Sequence, residues 1–421
     1  MGCGVWLPRK GRHCGGSALP GSNYCGNHQP SQSRVPCPID PSHTVLEHKI
    51  AAHLRKCPAA KLERDAKNRP YFSPGVNAGS DCDCEEEGKD SVESGSRRAA
   101  IESLPKDKFE ELVMKIEVAH SSCFRSERGT GVSLLQESFA TPSACAKWLC
   151  SNVDRRHPMQ EKHISQQASM LGNLEEIGLL RRRNDEGFGD TDRGRNEECF
   201  IEFGAGRGYL SHMLSDCYAA DNIILVERRS YKFKADRTLR YAAGVSLSRL
   251  RVDIEDLKLD AVDALQGCKK VVAVGKHLCG AATGTLSVCG KFLQVSYPDM
   301  ALRCCSQSSV VFGIGFATCC HHLCQWKAYV NKEFFQSMGL TKTDFEAVVW
   351  MTSWALSGNC DEKAELGMKC KELLDMGRLL WLQRTGMSTK MVKYISPQVS
   401  PENKFLMATK RSNELEVSSI V

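Results

Sequence analysis

No apolar run in this 421-residue chain approaches membrane-spanning length, because Gly, Lys or His interrupts each one, and this excludes a transmembrane helix. A leader's apolar core is lacking too: Cys3, Arg9 and Lys10 stand near the start instead. A soluble protein of a reducing, intracellular compartment is expected, with nucleus and cytoplasm undistinguished. Nor is there a large excess of one charge. The formal net charge of +6 says little by itself. Its distribution says more, since residues 1–72 hold eleven Lys and Arg against four Asp and Glu, a balance of +7 that leaves the remainder nearly neutral. A small basic module joined to a neutral domain suits a chain that holds nucleic acid with one part and acts on it with another.

Cysteine is plentiful, at 22 residues. In a reducing compartment these read as thiols and metal ligands rather than disulfides. Cys3, Cys14, Cys25 and His28 follow Cys-x10-Cys-x10-Cys-x2-His, three thiols and an imidazole that suit tetrahedral zinc. Glycines in this stretch permit sharp turns, and it has too few apolar residues to fold without a metal staple. Cys37, His43, His53 and Cys57 form a second set, Cys-x5-His-x9-His-x3-Cys. Thr44 to Lys56 reads as a helix, which would put His53 and Cys57 on one face; His48, a possible substitute for one histidine, falls off that face and is expected to be exposed or to support a ligand from behind. Two zinc sites are therefore expected, in modules over residues 1–30 and 34–61. The flanking Arg9, Lys10, Arg12, Lys49, Arg55, Lys56 and Lys61 favour phosphate contacts, with a solvated basic face as the plainer alternative.

Residues 73–104 read as a flexible acidic linker, with six acidic residues against one lysine between Asp81 and Asp90. Cys82 and Cys84 are too close together for a usual zinc pair. Residues 105–412 then form the main domain, led in by helices over Pro105 to His120 and Glu161 to Leu180. Arg181, Arg182 and Arg183 open a Gly-rich acidic loop that would cross the mouth of the site.

The main domain is organised around Phe200 to Leu210. A strand over Cys199 to Phe203 carries Glu202 and runs into Gly204, Gly206 and Gly208, as doubly wound sheets do where backbone approaches a nucleotide-like ligand. A second run, Ile223 to Val226, ends at Glu227, placed to accept hydrogen bonds from ribose hydroxyls. A third, Leu250 to Val252, leads into Asp253, and a fourth, Val271 to Gly275, opens into Lys276 and His277. Repeated strands with polar ends predict an α/β, Rossmann-like domain. The Gly-x-Gly-x-Gly spacing departs from the dinucleotide pattern and matches S-adenosylmethionine-dependent methyltransferases, with NAD as the competing ligand.

Methyl transfer from a sulfonium needs alignment and, for an oxygen acceptor, removal of a proton. Lys276 and His277 are candidates for that step, with phosphate binding and loop orientation as the alternatives. His321 and His322, in the Cys319-Cys320-His321-His322 run after an apolar stretch over Val310 to Phe316, are read as a substrate-facing loop, with Trp326 or Tyr329 as a stacking surface. Towards the carboxyl end the runs read as helix (Lys332 to Met338), strand (Phe345 to Met351), helix (Glu362 to Gly377) and a strand near Leu379.

Together the two fingers, Gln166 to Leu174 (Gln-Gln-Ala-Ser-Met-Leu-Gly-Asn-Leu), Gly275 to Thr283 (Gly-Lys-His-Leu-Cys-Gly-Ala-Ala-Thr) and Cys-Cys-His-His at 319–322 resemble the eukaryotic tRNA 2′-O-ribose methyltransferases that act on the fourth nucleotide of the acceptor stem. The resemblance spans nearly the whole chain; the second finger alone also resembles one in a minor-spliceosome protein. It implies S-adenosylmethionine as donor and a tRNA ribose hydroxyl as acceptor. One departure stands out: the family carries Asp where this chain has Gly284, and the segment after it is short and Cys-rich. That keeps open a zinc-dependent RNA-binding protein with an inactive methyltransferase fold. Methylation of a protein or of a tRNA base are further alternatives.

Overall fold

The structure is a computed structural model that describes residues 2–7, 11–29, 33–39, 43–79, 101–124, 133–139, 141–152, 158–181, 197–228, 234–242, 244–276, 278, 297–356 and 362–411. His277, Gly284, the acidic stretch 80–100 with its two cysteines, and Arg182 and Arg183 with their loop lie outside the described residues. The described chain forms two units, one ending at Lys67 and one beginning at Asn68.

In the first unit β1 (Trp6–Leu7) pairs antiparallel with β2 (Arg12–His13), and β3 (Arg34–Pro36) with β4 (Thr44–Leu46). The stretch expected to be one helix over 44–56 is instead β4, a 3-10 turn over Glu47–Lys49 and a short helix over Ile50–Lys56. Thr44 and Val45 are β-branched and take the ladder with β3, so the helix starts only beyond it. His48 is exposed, as expected.

The second unit is built on an eight-stranded sheet of order β5-β11-β12-β10-β9-β6-β7-β8. Its strands are β5 (Ser133–Glu137), β6 (Glu198–Phe203), β7 (Asn222–Val226), β8 (Ser246–Leu250), β9 (Lys270–Lys276), β10 (Val311–Thr318), β11 (Met387–Lys393) and β12 (Lys404–Lys410). Only the pairings of β12 are antiparallel. Strand order reverses between β6 and β9, the place where open α/β sheets bind ligands at their carboxyl ends. Val271 to Val274 of β9 and Ile223 to Val226 of β7 are at most 1% exposed. Covered on both faces, these strands are continuous apolar runs rather than alternations.

Several expected elements move. β8 covers Ser246–Leu250, so of the expected run Leu250 to Val252 only Leu250 is strand. Phe345 to Met351 lies in a helix, Lys342–Met351, started by a capping box in which Thr341 and Asp344 bond each other's backbone N–H. Leu379 lies inside a helix over Glu362–Arg384, whose Leu373 and Leu379 pack in one core cluster and Leu382 in another. A helix buried on several sides is apolar all round and imitates a strand.

The linker expectation fails at its start. Asn77 is fully buried; its Nδ2 donates to the carbonyls of Ile254 at 2.7 Å and Leu257 at 2.8 Å, while Ser73 N donates to Asp256 O and Asn77 N to Glu255 O. Residues 71–79 thus strap the turn that follows Asp253, so the second unit begins well before residue 105. The Gly and Ser that suggested disorder serve turns here, held by the donors Ser73 N, Asn77 N and Asn77 Nδ2.

Candidate functional site

At the end of β6, Gly204, Gly206 and Gly208 have φ of +62°, +51° and +72°. Side chains are strained there, so the turn needs glycine at each place. The turn is tied to the next strand: Ala205 N donates to Val226 O at 3.1 Å, and Gly206 N to the Glu227 carboxylate at 3.0 Å. Arg249 donates to Gly206 O from the other side at 3.2 Å. Glu202, nearly buried, accepts Ser211 N at 3.0 Å and Ser211 Oγ at 2.5 Å, clamping the start of helix Tyr209–Tyr218 to β6. Burial pushes its carboxyl up to about 7, against the pull of the Ser211 hydrogen bonds.

Asp253 caps the 3-10 turn Ile254–Asp256 through Glu255 N, and its Oδ2 accepts Arg228 at 2.9 Å and the Tyr297 hydroxyl at 3.1 Å. The expected cofactor residues therefore fall into three places: the glycine turn joined to Glu227, Glu202 beneath it, and Asp253 at the neighbouring strand end. A glycine turn that presents backbone, with a half-buried carboxylate beside it, fits the adenosine part of a nucleotide-like cofactor.

Lys276 ends β9, next to β6. Its Nζ lies 3.1 Å from His163 Nδ1 and 3.1 Å from His163 O, on the helix Pro158–Glu176. Burial brings the Lys276 amine down to about 7, against the opposing pull of Glu202. Burial also lowers His163, as does the Lys276 charge. Sequence reasoning missed His163. The available signal was its place three and four residues before Gln166 and Gln167, which are both buried on the same helix.

His321 is not on a substrate-facing loop. It is 2% exposed; Nδ1 faces Cys319 O at 3.1 Å and Nε2 faces the Asp375 carboxylate at 2.9 Å. Both ring nitrogens meet oxygen acceptors, which leaves no lone pair for a substrate proton. Asp375 also binds Arg378, which continues to Asp299 and the Cys324 thiol. Trp326 at 5% and Tyr329 at 1% exposure pack in the core and offer no stacking surface. Sequence reasoning singled out neither Asp375, inside the expected helix, nor Arg378, just beyond its expected end, because their partners His321 and Asp299 are distant in sequence. His322, in contrast, is exposed.

The ligand atoms of Cys3, Cys14, Cys25 and His28 all lie within 4.8 Å of one another, and so do those of Cys37, His43, His53 and Cys57. Edges such as Cys3 Sγ to His28 Nδ1 at 3.4 Å, Cys37 Sγ to Cys57 Sγ at 3.9 Å and His53 Nε2 to Cys37 Sγ at 3.3 Å are those of a tetrahedron with zinc bonds of about 2.0–2.3 Å. Both expected sets are brought together, and each fits one zinc ion. His53 lies in the last turn of its helix, while Cys57 is not on that helix face but is the extended residue just after the helix ends at Lys56.

A doubly wound sheet with a glycine turn at its switch point, preceded by two zinc-finger modules, defines a Rossmann-like methyltransferase with accessory fingers. The family described as Methyltransferase TRM13 matches residues 165–365 and 359–409; the CCCH zinc finger of TRM13 proteins matches residues 1–29, and the U11-48K-like CHHC zinc finger matches residues 34–58. The chain belongs to the TRM13 methyltransferase family. It is 43% identical to the tRNA:m(4)X modification enzyme TRM13 of Oryza sativa subsp. japonica over 55% of this chain and 90% of that protein. It is 31% identical to the Mus musculus homolog over 96% of this chain and 94% of that one. Among solved structures, the plantazolicin methyltransferase BpumL in complex with pentazolic desmethylPZN analog and SAH aligns at a TM-score of 0.28 and 9% identity, covering 73% of this chain and all of that one. Among the described residues no helix is long and apolar enough to cross a membrane.

Proposed function

We propose that this protein transfers a methyl group from S-adenosylmethionine to the 2′-hydroxyl of the fourth nucleotide of the tRNA acceptor stem, with its zinc fingers holding the tRNA. The relatives' name, tRNA:m(4)X modification enzyme, supports the substrate and the position. The observation that carries the reaction type is a half-buried amine, Lys276, at the strand end beside the glycine turn.

When bound, S-adenosylmethionine supplies a methyl on a positively charged sulfur. The turn Gly204 to Gly208 gives backbone a close approach to that cofactor, and Glu227 is placed for its ribose hydroxyls. Asp253, fixed by Arg228 and Tyr297, closes the far end. Lys276 Nζ, through its lone pair, would accept the proton of the acceptor 2′-hydroxyl as that oxygen takes the methyl the cofactor supplies, and would be left as the ammonium. His277, next in sequence, and the exposed His322 remain candidates for contacts to the acceptor nucleotide.

The test is transfer from labelled S-adenosylmethionine to bulk tRNA by the zinc-loaded protein, followed by nuclease mapping. A 2′-O-methyl in the acceptor stem is expected. Tight tRNA binding with no transfer would favour the inactive RNA-binding reading, and Gly284→Asp would then be the first substitution to restore activity.

A further inference from the structure

We infer that His163 is the positioning residue that aims the Lys276 amine at the acceptor hydroxyl. This rests on reading Lys276 as the proton acceptor. With the His163 ring proton on Nε2, the Lys276 Nζ has two hydrogen-bond acceptors on one side, His163 Nδ1 and His163 O, each at 3.1 Å. A neutral primary amine carries two N–H bonds and one lone pair. With both N–H bonds given to His163, the lone pair is the only direction left around the tetrahedral nitrogen, and it points away from the helix Pro158–Glu176. One residue thus supplies both anchors, one from its ring and one from its backbone.

The ring must be neutral to serve. In the Nε2–H tautomer Nδ1 is free to accept from Lys276, and burial, reinforced by the Lys276 charge, disfavours a second proton. The charged or titratable groups acting on Lys276 from the surrounding elements are Glu202 on β6, Lys162 on the helix of His163, and Cys319 beyond β10. Glu202 and Cys319 favour the ammonium and Lys162 opposes it, and burial outweighs them all. Without an anchor the four-carbon lysine stem would sample several rotamers, and only a fraction would present the lone pair to substrate.

The experiment compares the full-length, zinc-loaded wild type with His163→Ala, His163→Asn and Lys276→Met in single-turnover transfer from pH 6 to 10, with cofactor and tRNA affinities measured alongside. His163→Ala is expected to lower the rate at neutral pH roughly 10–100-fold, a part of the 10²–10⁴ typical of positioned proton transfer, with both affinities unchanged. Removing the ring admits water to the amine, so the pH inflection moves from about 7 towards the ordinary lysine value of 10.5. His163→Asn, whose side-chain oxygen replaces Nδ1 as acceptor, is expected to recover most of the rate. An active Lys276→Met would overturn the proton-acceptor reading itself. A dead Lys276→Met beside a His163→Ala with wild-type rate and inflection would overturn only the role of His163. So would a His163→Ala whose loss is uniform with pH and accompanied by weakened binding.

Discussion

Replacing His321 by Ala is expected to unfold the main unit more readily rather than to remove a reacting group. The Asp375 carboxylate is fully buried and has three partners: His321 Nε2 at 2.9 Å, Thr318 Oγ1 at 2.9 Å and Arg378 Nη1 at 2.8 Å. Arg378 is itself shared with Asp299, at 2.6 and 3.2 Å. Burial alone would raise the Asp375 carboxyl, but His321 and Arg378 outweigh it and bring it down to about 2. Against an ordinary value near 3.9 that corresponds to roughly 2–3 kcal/mol of stabilisation. The folded value is the depressed one, so this stabilisation is complete above about pH 4 and fades as pH falls to about 2. Without His321, one guanidinium must serve two buried carboxylates. Removing one partner from such a buried group costs about 3–5 kcal/mol. At about 2–4 °C per kcal/mol for a unit of this size, Tm falls by about 6–20 °C. Scanning fluorimetry of zinc-loaded protein reads the shift, and single-turnover transfer well below the new midpoint reads the chemistry. An unchanged Tm with transfer abolished would refute the reasoning and return His321 to the reacting groups.

Asn77→Ala strips donors from the buried carbonyls of Ile254 and Leu257, and the urea midpoint should fall by an amount equivalent to about 2–4 kcal/mol; no change would make the strap peripheral. Gly79 has φ +88°, and a Cβ there would collide with the carbonyl of Lys327, so Gly79→Ala should lift the same strap and weaken cofactor binding in calorimetry. Glu202 has a raised carboxyl, so its contribution to stability is present below about pH 4.3 and lost as pH rises through about 7. Glu202→Gln should accordingly be at least as stable as wild type at pH 8 and flatten the Tm profile between pH 5 and 8, and a lower Tm at pH 8 would count against it. Cys57→Ser removes one of four ligands from the second finger, and bound zinc should fall from two ions per chain to one by atomic absorption, whereas a content of two would reject the site.

What could be read in the sequence, and what could not, follows from how local each determinant is. The glycine turn is local: three positive-φ positions within five residues, delivered by a strand apolar enough to be covered on both faces, leave the same signature in sequence as in space. Each finger is nearly as local, because its ligands fall within about two dozen residues and the metal, not a core, fixes the spacing. Elements chosen by tertiary packing were harder. Phe345 to Met351 and Leu379 to Leu382 are short apolar runs whose periodicity does not separate strand from buried helix; only the Thr341–Asp344 capping box carried a local sign for the first, and the second had none. Hardest were pairings between distant residues: Asn77 with Ile254, His321 with Asp375, and His163 with Lys276 are separated by 177, 54 and 113 positions. No spacing rule reaches across such distances. Yet those pairings sort the candidate bases, since the sequence offers Lys276 and His321 as equals. The fold gives His321 two oxygen acceptors and no free lone pair, and gives Lys276 a ring nitrogen and a carbonyl that together leave one.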